Sequence, residues 1–175
     1  MIIGDGFGTL GSILSKVHPD LTIIQVNLGR TLIFDLAFSA ITAPNKPHLL
    51  VHKLSEAKDG AINFLPAEDL SNSDENIELF IAIESFQEMD IQIVQNYFKL
   101  MRLQTGVITA YLVSRLAKTL PDGIEVRLEQ YGWNVNDEIL FKRLSWYVNW
   151  GVRRRPPFIF RMDGKTEERL VMLST

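Results

Sequence analysis

Apolar positions fall into blocks along the chain, and the spacing within the blocks predicts alternating strands and helices. A short apolar run opens the sequence, and residues 10–14 follow it with apolar side chains at helical spacing. Residues 21–26 are apolar and rich in β-branched side chains, which is typical of a strand buried on both faces. Residues 29–43 return to helical spacing, with a predicted inward stripe of Leu32, Leu36 and Ala40.

The middle of the chain repeats this alternation. Residues 61–65 and 77–83 each predict a buried strand. Asp90 is a suitable helix cap, and an apolar stripe continues from it to Met101 at helical spacing. Residues 106–113 predict a fifth strand, and residues 124–128 a half-exposed return strand.

The last part of the chain departs from the alternation. Residues 136–148 predict a further helix, because acidic residues open it and Leu140 and Leu144 share one face. Apolar alternation over 158–162, a turn at 163–164 and apolar residues over 169–173 predict a terminal hairpin. The whole pattern predicts one α/β domain over residues 1–175. It has a Rossmann-like three-layer sandwich and a mostly parallel sheet with a C-terminal antiparallel hairpin.

Composition narrows the class of protein. The formal net charge is −3 at 175 residues, which argues against a general nucleic-acid binder. The chain has no cysteine, so it has neither a disulfide framework nor a thiolate nucleophile. No apolar run has the length of a membrane span, and no basic segment precedes the first apolar residues. We therefore expect a cytoplasmic protein.

Three glycines, Gly4, Gly6 and Gly8, stand between the first apolar run and the first helix. Glycine adopts positive φ and lets a ligand approach the backbone, and free N–H groups at a helix start favour anionic or polar ligand groups. The pattern therefore fits a nucleotide-binding turn, and it equally fits a glycine-rich loop without a ligand. Asn27 ends the second predicted strand, where it would either bind ribose hydroxyls or cap the next helix.

Only three residues precede Gly4, which is short for a strand. We expect that upstream residues are missing from this chain. We also expect it to be less stable, and to bind its cofactor more weakly, than a version extended upstream.

The resemblance that emerges is to the bacterial sugar O-methyltransferase family, within the class I S-adenosylmethionine-dependent methyltransferases. It covers nearly the whole chain. Its motifs are residues 3–10 (IGDGFGTL), 85–89 (SFQEM), 118–123 (KTLPDG), 131–133 (YGW) with Asp137 and Glu138, and 155–158 (RPPF) with 163–164 and 169–170.

The resemblance implies an S-adenosyl-L-methionine cofactor and a sugar hydroxyl as the methyl acceptor. From the composition we expect no nucleic-acid or membrane partner, and we assign no metal-binding residues. The implied cofactor-binding residues are Gly4, Asp5, Gly6, Phe7, Gly8, Asn27, Leu28, Glu84 and Ser85. The chain departs from the family where Ile2 and Asn27 replace acidic residues and where Ala82 replaces a polar one.

Methyl transfer to a hydroxyl needs a base, and Glu88 is the first candidate because it follows the fourth major strand. His48 or His52 is the second, because imidazole titrates near neutrality. The alternatives are a helix-terminal carboxylate for Glu88 and a surface pair for the histidines, whose i, i+4 spacing lacks a third metal ligand.

Two further groups of residues have both a functional and a plain interpretation. Residues 153–155 are three arginines that would meet a substrate phosphate or form a solvated turn. Trp133, Trp146 and Trp150 would stack on a sugar or pack in the core. Two other functions remain open, a catalytically silent binding module and a nicotinamide-dependent oxidoreductase.

Overall fold

The computed structural model describes residues 1–71, 76–145, 150–152, 155–156, 159–161 and 165–174. Its centre is an eight-stranded sheet. The strands of this sheet, in chain order, are β1 (Ile2–Ile3), β2 (Ile23–Asn27), β3 (His48–Leu50), β4 (Ile62–Pro66), β5 (Leu79–Ile83), β6 (Ile108–Arg115), β9 (Glu138–Leu144) and β12 (Thr166–Leu173). Two short pairs complete the strands, β7 (Ala117–Thr119) with β8 (Glu125–Arg127), and β10 (Trp150–Val152) with β11 (Ile159–Arg161).

The strands lie in the order β3-β4-β2-β1-β5-β6-β12-β9. Those from β3 to β6 in this order are parallel, and β12 runs antiparallel to both β6 and β9. The predicted fold class is thereby confirmed. Its first strand lies in the middle of the sheet, as a doubly wound fold requires.

β1 has two residues, and the residues beside it extend its pairing. The Gly4 N–H donates to Val26 O (2.8 Å), and the Ile81 N–H donates to Met1 O (2.9 Å). The amino group of Met1 donates to Leu79 O (2.7 Å). Burial lowers the pKa of this amino group to about 5.

The helices α1 (Thr9–Val17), α2 (Leu32–Thr42) and α3 (Ile91–Arg102) cover the two faces of the sheet. Alternate strand residues separate two apolar clusters, so that Ile2 packs with α1 and α2 whereas Ile3 packs with α3. Asp90 caps α3, because its carboxylate accepts from the Gln92 N–H (2.7 Å), as predicted.

The inward face of α2 differs from the prediction. Leu32 is buried, but Leu36 and Ala40 are exposed, and the polar residues Asp35 and Ser39 are buried instead. The Ser39 hydroxyl lies 3.1 Å from the Ser12 hydroxyl of α1. Polar contact with α1 therefore decides which side of α2 turns inward.

The predicted helix over residues 136–148 is wrong, because Glu138–Leu144 is the edge strand β9. Asp137, expected to open that helix, accepts instead from the guanidinium of Arg102 (2.8 and 2.7 Å). Residues 146–149 lie outside the described residues. A distant cation and the sheet edge offered by β12 thus outweigh the local helix signal.

The partner of the last strand is also corrected. The segment beginning at Ile159 pairs with β10, whereas β12 pairs with β9 and β6. Trp150 lies opposite Arg161 in the antiparallel pair of β10 and β11, which forms a two-stranded sheet of its own. The predicted turn at 163–164 lies outside the described residues. The predicted return strand over 124–128 is confirmed as β8.

Candidate functional site

A cavity of about 770 Å³ opens at the carboxyl ends of β1, β2, β4 and β5. This is the edge where ligands bind in open parallel sheets. Residues from all four strand ends line it, together with residues from the start of α3. They are Gly4, Gly6, Val26, Asn27, Leu28, Thr31, Ala67, Glu68, Leu70, Ile83, Glu84, Ser85, Glu88, Met89, Asp90, Ile93, Asn96, Tyr97 and Leu100.

The glycine turn between β1 and α1 has positive φ at Gly4 (+72°), Gly6 (+78°) and Gly8 (+67°). A Cβ at Gly4 would lie 2.6 Å from Ser85 Cβ, and one at Gly8 would lie 2.6 Å from Asp35 O. A Cβ at Gly6 would meet nothing within 4 Å. Gly4 and Gly8 are therefore required by packing, whereas Gly6 leaves open space on the cavity side. Phe7 is exposed and contacts Phe34 edge to face.

The side chain of Asp5 binds backbone N–H groups at the start of α1. Its carboxylate accepts from the Leu10 N–H (3.0 Å) and the Gly11 N–H (2.9 Å). Burial raises the pKa of Asp5, and these two backbone hydrogen bonds act against the rise. The expectation of free helix N–H groups for an anionic ligand is therefore wrong, because a side-chain anion already occupies two of them.

Asn27 lines the cavity at the end of β2. Its Nδ2 donates to Asp35 Oδ2 (3.1 Å), and its Oδ1 accepts from the Leu28 N–H (3.0 Å). It does not cap α2, whose first flanking residue is Thr31. The amide is thus held at the cavity wall, with one N–H and one lone pair left for a ligand.

Asp35 is a buried acid without a cation. Its Oδ1 has no hydrogen-bond partner among the described residues. Burial raises its pKa, the hydrogen bond from Asn27 lowers it, and the nearby charge of Asp5 raises it further.

Glu84 and Ser85 form the turn after β5. Glu84 has φ +56°, the only positive φ among the described non-glycine residues, and its N–H donates to Val113 O (2.7 Å). The Ser85 hydroxyl donates to Ile3 O (2.7 Å), which joins this turn to the end of β1. A strained non-glycine residue in a cavity wall is typical of a functional site.

Of the predicted bases, Glu88 lines the cavity and His48 does not. The Oε1 of Glu88 accepts from the ammonium group of Lys118. His48 pairs with Ile62 at the amino end of β4, and its ring stacks on Phe64. Its position at the far edge of the sheet gives no support for a catalytic role.

His52 lies outside the cavity lining, and its Nδ1 contacts Asp69 Oδ2 (2.6 Å). The hydrogen bond that the ring donates to Asp69, together with the charge of that carboxylate, raises the pKa of His52. The two histidines share no helix, because one is in β3 and the other in a bend. No group of three potential metal ligands occurs among the described residues.

The remaining candidates that the structure describes, Trp133 and Arg155, do not line the cavity. Arg155 is exposed, and the other two arginines of that run lie outside the described residues. Trp133 donates through Nε1 to Leu128 O (2.7 Å), and the guanidinium of Arg169 lies 5.0 Å from its ring centroid. Trp146 and the side chain of Trp150 lie outside the described residues.

The cavity wall is acidic. Four carboxylate residues line it, and no lysine, arginine or histidine does so in the part of the chain that the structure describes. They are Glu68, Glu84, Glu88 and Asp90. Glu68 was not predicted from the sequence, although its place directly after a buried strand was a usable signal.

Neither a protein-family model nor a curated protein sequence matches the chain. Solved structures share its fold. One is BH2331 of Bacillus halodurans C-125, which is described as a methyltransferase. It is 8% identical to this chain with a TM-score of 0.56, and the match covers 99% of this chain and 91% of BH2331. PigF with SAH has 12% identity and the same TM-score of 0.56, but the chain spans only 49% of PigF.

A third structure is less similar. The glycopeptide N-methyltransferase MtfA with S-adenosyl-L-homocysteine has 13% identity and a TM-score of 0.46, over 98% of this chain and 64% of its own. At these identities the two structures with a TM-score of 0.56 establish a shared Rossmann-like fold. No described helix has the length and apolarity needed to cross a membrane.

Proposed function

We propose that the chain is an S-adenosylmethionine-dependent methyltransferase domain acting on a sugar hydroxyl. The observation that carries the proposal is the charge of the site. Asp5 fills the start of α1, where a dinucleotide would place its pyrophosphate, and the cavity has four carboxylate residues and no cation among its described lining. Such a wall favours a sulfonium cofactor and disfavours an anionic nicotinamide dinucleotide.

The described residues fit this cofactor group by group. Gly6 offers open backbone, Asn27 has spare hydrogen-bonding capacity for ribose, and the exposed Leu28 offers an apolar surface to a base. Glu84 and Ser85 stand where the amino-acid portion would lie, and a carboxylate there favours its ammonium group. When bound, the cofactor supplies an electrophilic methyl group.

We assign the proton-accepting role to Glu88 Oε2, since Oε1 is held by Lys118. The sugar hydroxyl is inferred from the sequence resemblance. The lining supports a neutral acceptor, because Met89, Ile93 and Tyr97 are apolar or weakly polar and no lysine, arginine or histidine is among the described lining residues.

Calorimetry tests the cofactor assignment. We expect the purified chain to bind S-adenosylmethionine and S-adenosylhomocysteine and not NAD. Gly6→Val should abolish this binding, because the new side chain would project into the open space. Gly123→Val is the matched control, since Gly123 also has positive φ (+88°) and open space but lies in the β7–β8 turn. NAD binding, or equal affinities for wild type and the Gly6 variant, would overturn the assignment.

A catalytically silent binding module is the second candidate, favoured by the ion pair that engages Glu88. Methyl transfer to a panel of sugars, followed with labelled S-adenosylmethionine, separates the two. Loss of transfer in Glu88→Gln with unchanged cofactor affinity supports the enzyme. Cofactor binding without transfer to any acceptor supports the silent module.

A further inference from the structure

We propose that Glu68 binds the ribose hydroxyls of the cofactor, in place of the acidic residue that the end of β2 lacks. This inference rests on the proposed function. It adds a charged acceptor to the single N–H and single lone pair that the neutral Asn27 has left once Asp35 and the Leu28 N–H engage its Nδ2 and Oδ1.

Glu68 reaches the end of β2 from a neighbouring strand. It lies in the short 3-10 helix Ala67–Asp69, directly after β4. A Cβ placed on Gly29 would lie 2.7 Å from Glu68 Oε1. The carboxylate therefore lies against the backbone two residues beyond Asn27, and the missing side chain at Gly29 is what permits this approach.

The chemistry of Glu68 suits a diol. An ionised carboxylate only accepts hydrogen bonds, and a ribose presents two hydroxyl donors. Glu68 lines the cavity and has no hydrogen-bond or ion-pair partner among the described residues, in contrast to Glu88, which is bound by Lys118. Its acceptor capacity is thus available to a ligand.

Ribose is favoured over the other donor of the cofactor, the amine of adenine. The carboxylate of Glu68 lies beside the β2–α2 turn, the position from which Rossmann-like folds bind ribose hydroxyls. Leu28, exposed in the same turn, offers the surface on which a base would pack.

The test measures affinity by calorimetry for S-adenosylhomocysteine and for its 2′-deoxy analogue. Removing a hydrogen bond to a charged group should weaken binding about ten- to hundredfold. We expect wild type to prefer the ribose form by this factor and Glu68→Ala to lose the preference.

Gly29→Ala supplies a second variant, because its methyl group would displace the Glu68 carboxylate. It should weaken binding when Glu68 is present and have no further effect in Glu68→Ala. Glu78→Ala is the control and should leave affinity unchanged. Glu78 is exposed and lies just before β5, at the amino ends of the parallel strands and so away from the cavity.

The outcomes separate this inference from the proposed function. If wild type binds neither S-adenosylmethionine nor S-adenosylhomocysteine, both fail. If wild type binds and Glu68→Ala keeps the ribose preference, only the role of Glu68 is overturned. If Glu68→Ala instead loses discrimination against the S-inosyl analogue, Glu68 binds the adenine amine and the ribose assignment is wrong.

Discussion

The two halves of the sheet differ in whether their acidic residues have a cationic partner. Beside β1 and β2, the partly buried carboxylate of Asp5 and the buried carboxylate of Asp35 have no cation bound to them among the described residues. Beside β9 and β12, the buried acidic residues are all paired with arginine. Their pairs are Asp137–Arg102, Glu167–Arg169 and Glu168–Arg143.

This difference separates the half that carries the site from the half that secures the fold. An uncompensated buried carboxylate lowers stability, so it persists where its charge serves another purpose. Under the proposed function, a cationic cofactor in the neighbouring cavity would give these charges such a purpose, although neither carboxylate lines the cavity itself. In the antiparallel half, each of these three arginines neutralises an acidic residue, and Arg102 and Arg143 also join segments that are distant in sequence. Arg102, for example, joins α3 to Asp137 and Ser174.

Breaking the paired half should have the largest effect. Arg102→Ala leaves the Asp137 carboxylate buried without its bidentate partner and removes donors to Gly132 O and Ser174 O. We expect a loss of about 3–5 kcal/mol in the free energy of unfolding, measured by urea denaturation. Lys99→Ala, at an exposed position of the same helix, should change it little. A small loss for Arg102→Ala would show that the pair contributes little.

The same pair predicts a pH dependence. Burial by itself would raise the pKa of Asp137, but hydrogen bonds from Arg102 and from the backbone of Asn134 and Ser174 lower it to about 2. The stabilisation is therefore complete above the unfolded pKa of about 4 and is lost as the pH falls toward 2. Arg102→Ala should weaken this dependence.

Within the glycine turn, two substitutions should differ in size. Gly6→Ala strains a positive φ but meets open space, whereas Gly8→Ala also collides with the Asp35 backbone. We expect Gly8→Ala to cost about 1–3 kcal/mol more than Gly6→Ala in urea denaturation. Equal losses would mean that the turn relaxes freely and that Gly8 is not required by packing.

The smallest effect concerns the unpaired half. Because burial raises the pKa of Asp35, the folded chain holds this proton more tightly than the unfolded chain, and stability falls as the pH rises above about 4. Asp35→Asn removes this loss. The urea midpoint of Asp35→Asn, relative to that of wild type, should therefore increase as the pH rises from 4 to 8. For the exposed control Asp20→Asn, the difference from wild type should stay constant over this range. A variant midpoint that falls behind wild type would contradict an uncompensated charge.

The features that the sequence predicted correctly are those set by nearby residues. Asp90 and the apolar stripe after it are enough for α3, and the glycine turn follows from three closely spaced glycines. The failures depend on distant partners. Asp137, in the first turn of the expected helix, is bound by Arg102. The side of α2 that faces inward carries the buried Asp35 and the Ser39 that contacts Ser12 of α1. Glu68 becomes visible as a site residue only when β4 is placed beside β2.

The position of β12 also bears on how the sheet is assembled. This strand is the last of the sheet in chain order, yet it lies inside the sheet between β6 and β9. β9 is synthesised earlier but has no neighbour in the sheet until β12 has paired with it. The pairing of β6 with β12 joins residues 108–115 to residues 166–173, so this half is completed only when the last strand is available. All strands of the parallel half precede β12 in the chain, so during synthesis the cavity walls at β1, β2, β4 and β5 can form before the antiparallel half is in place.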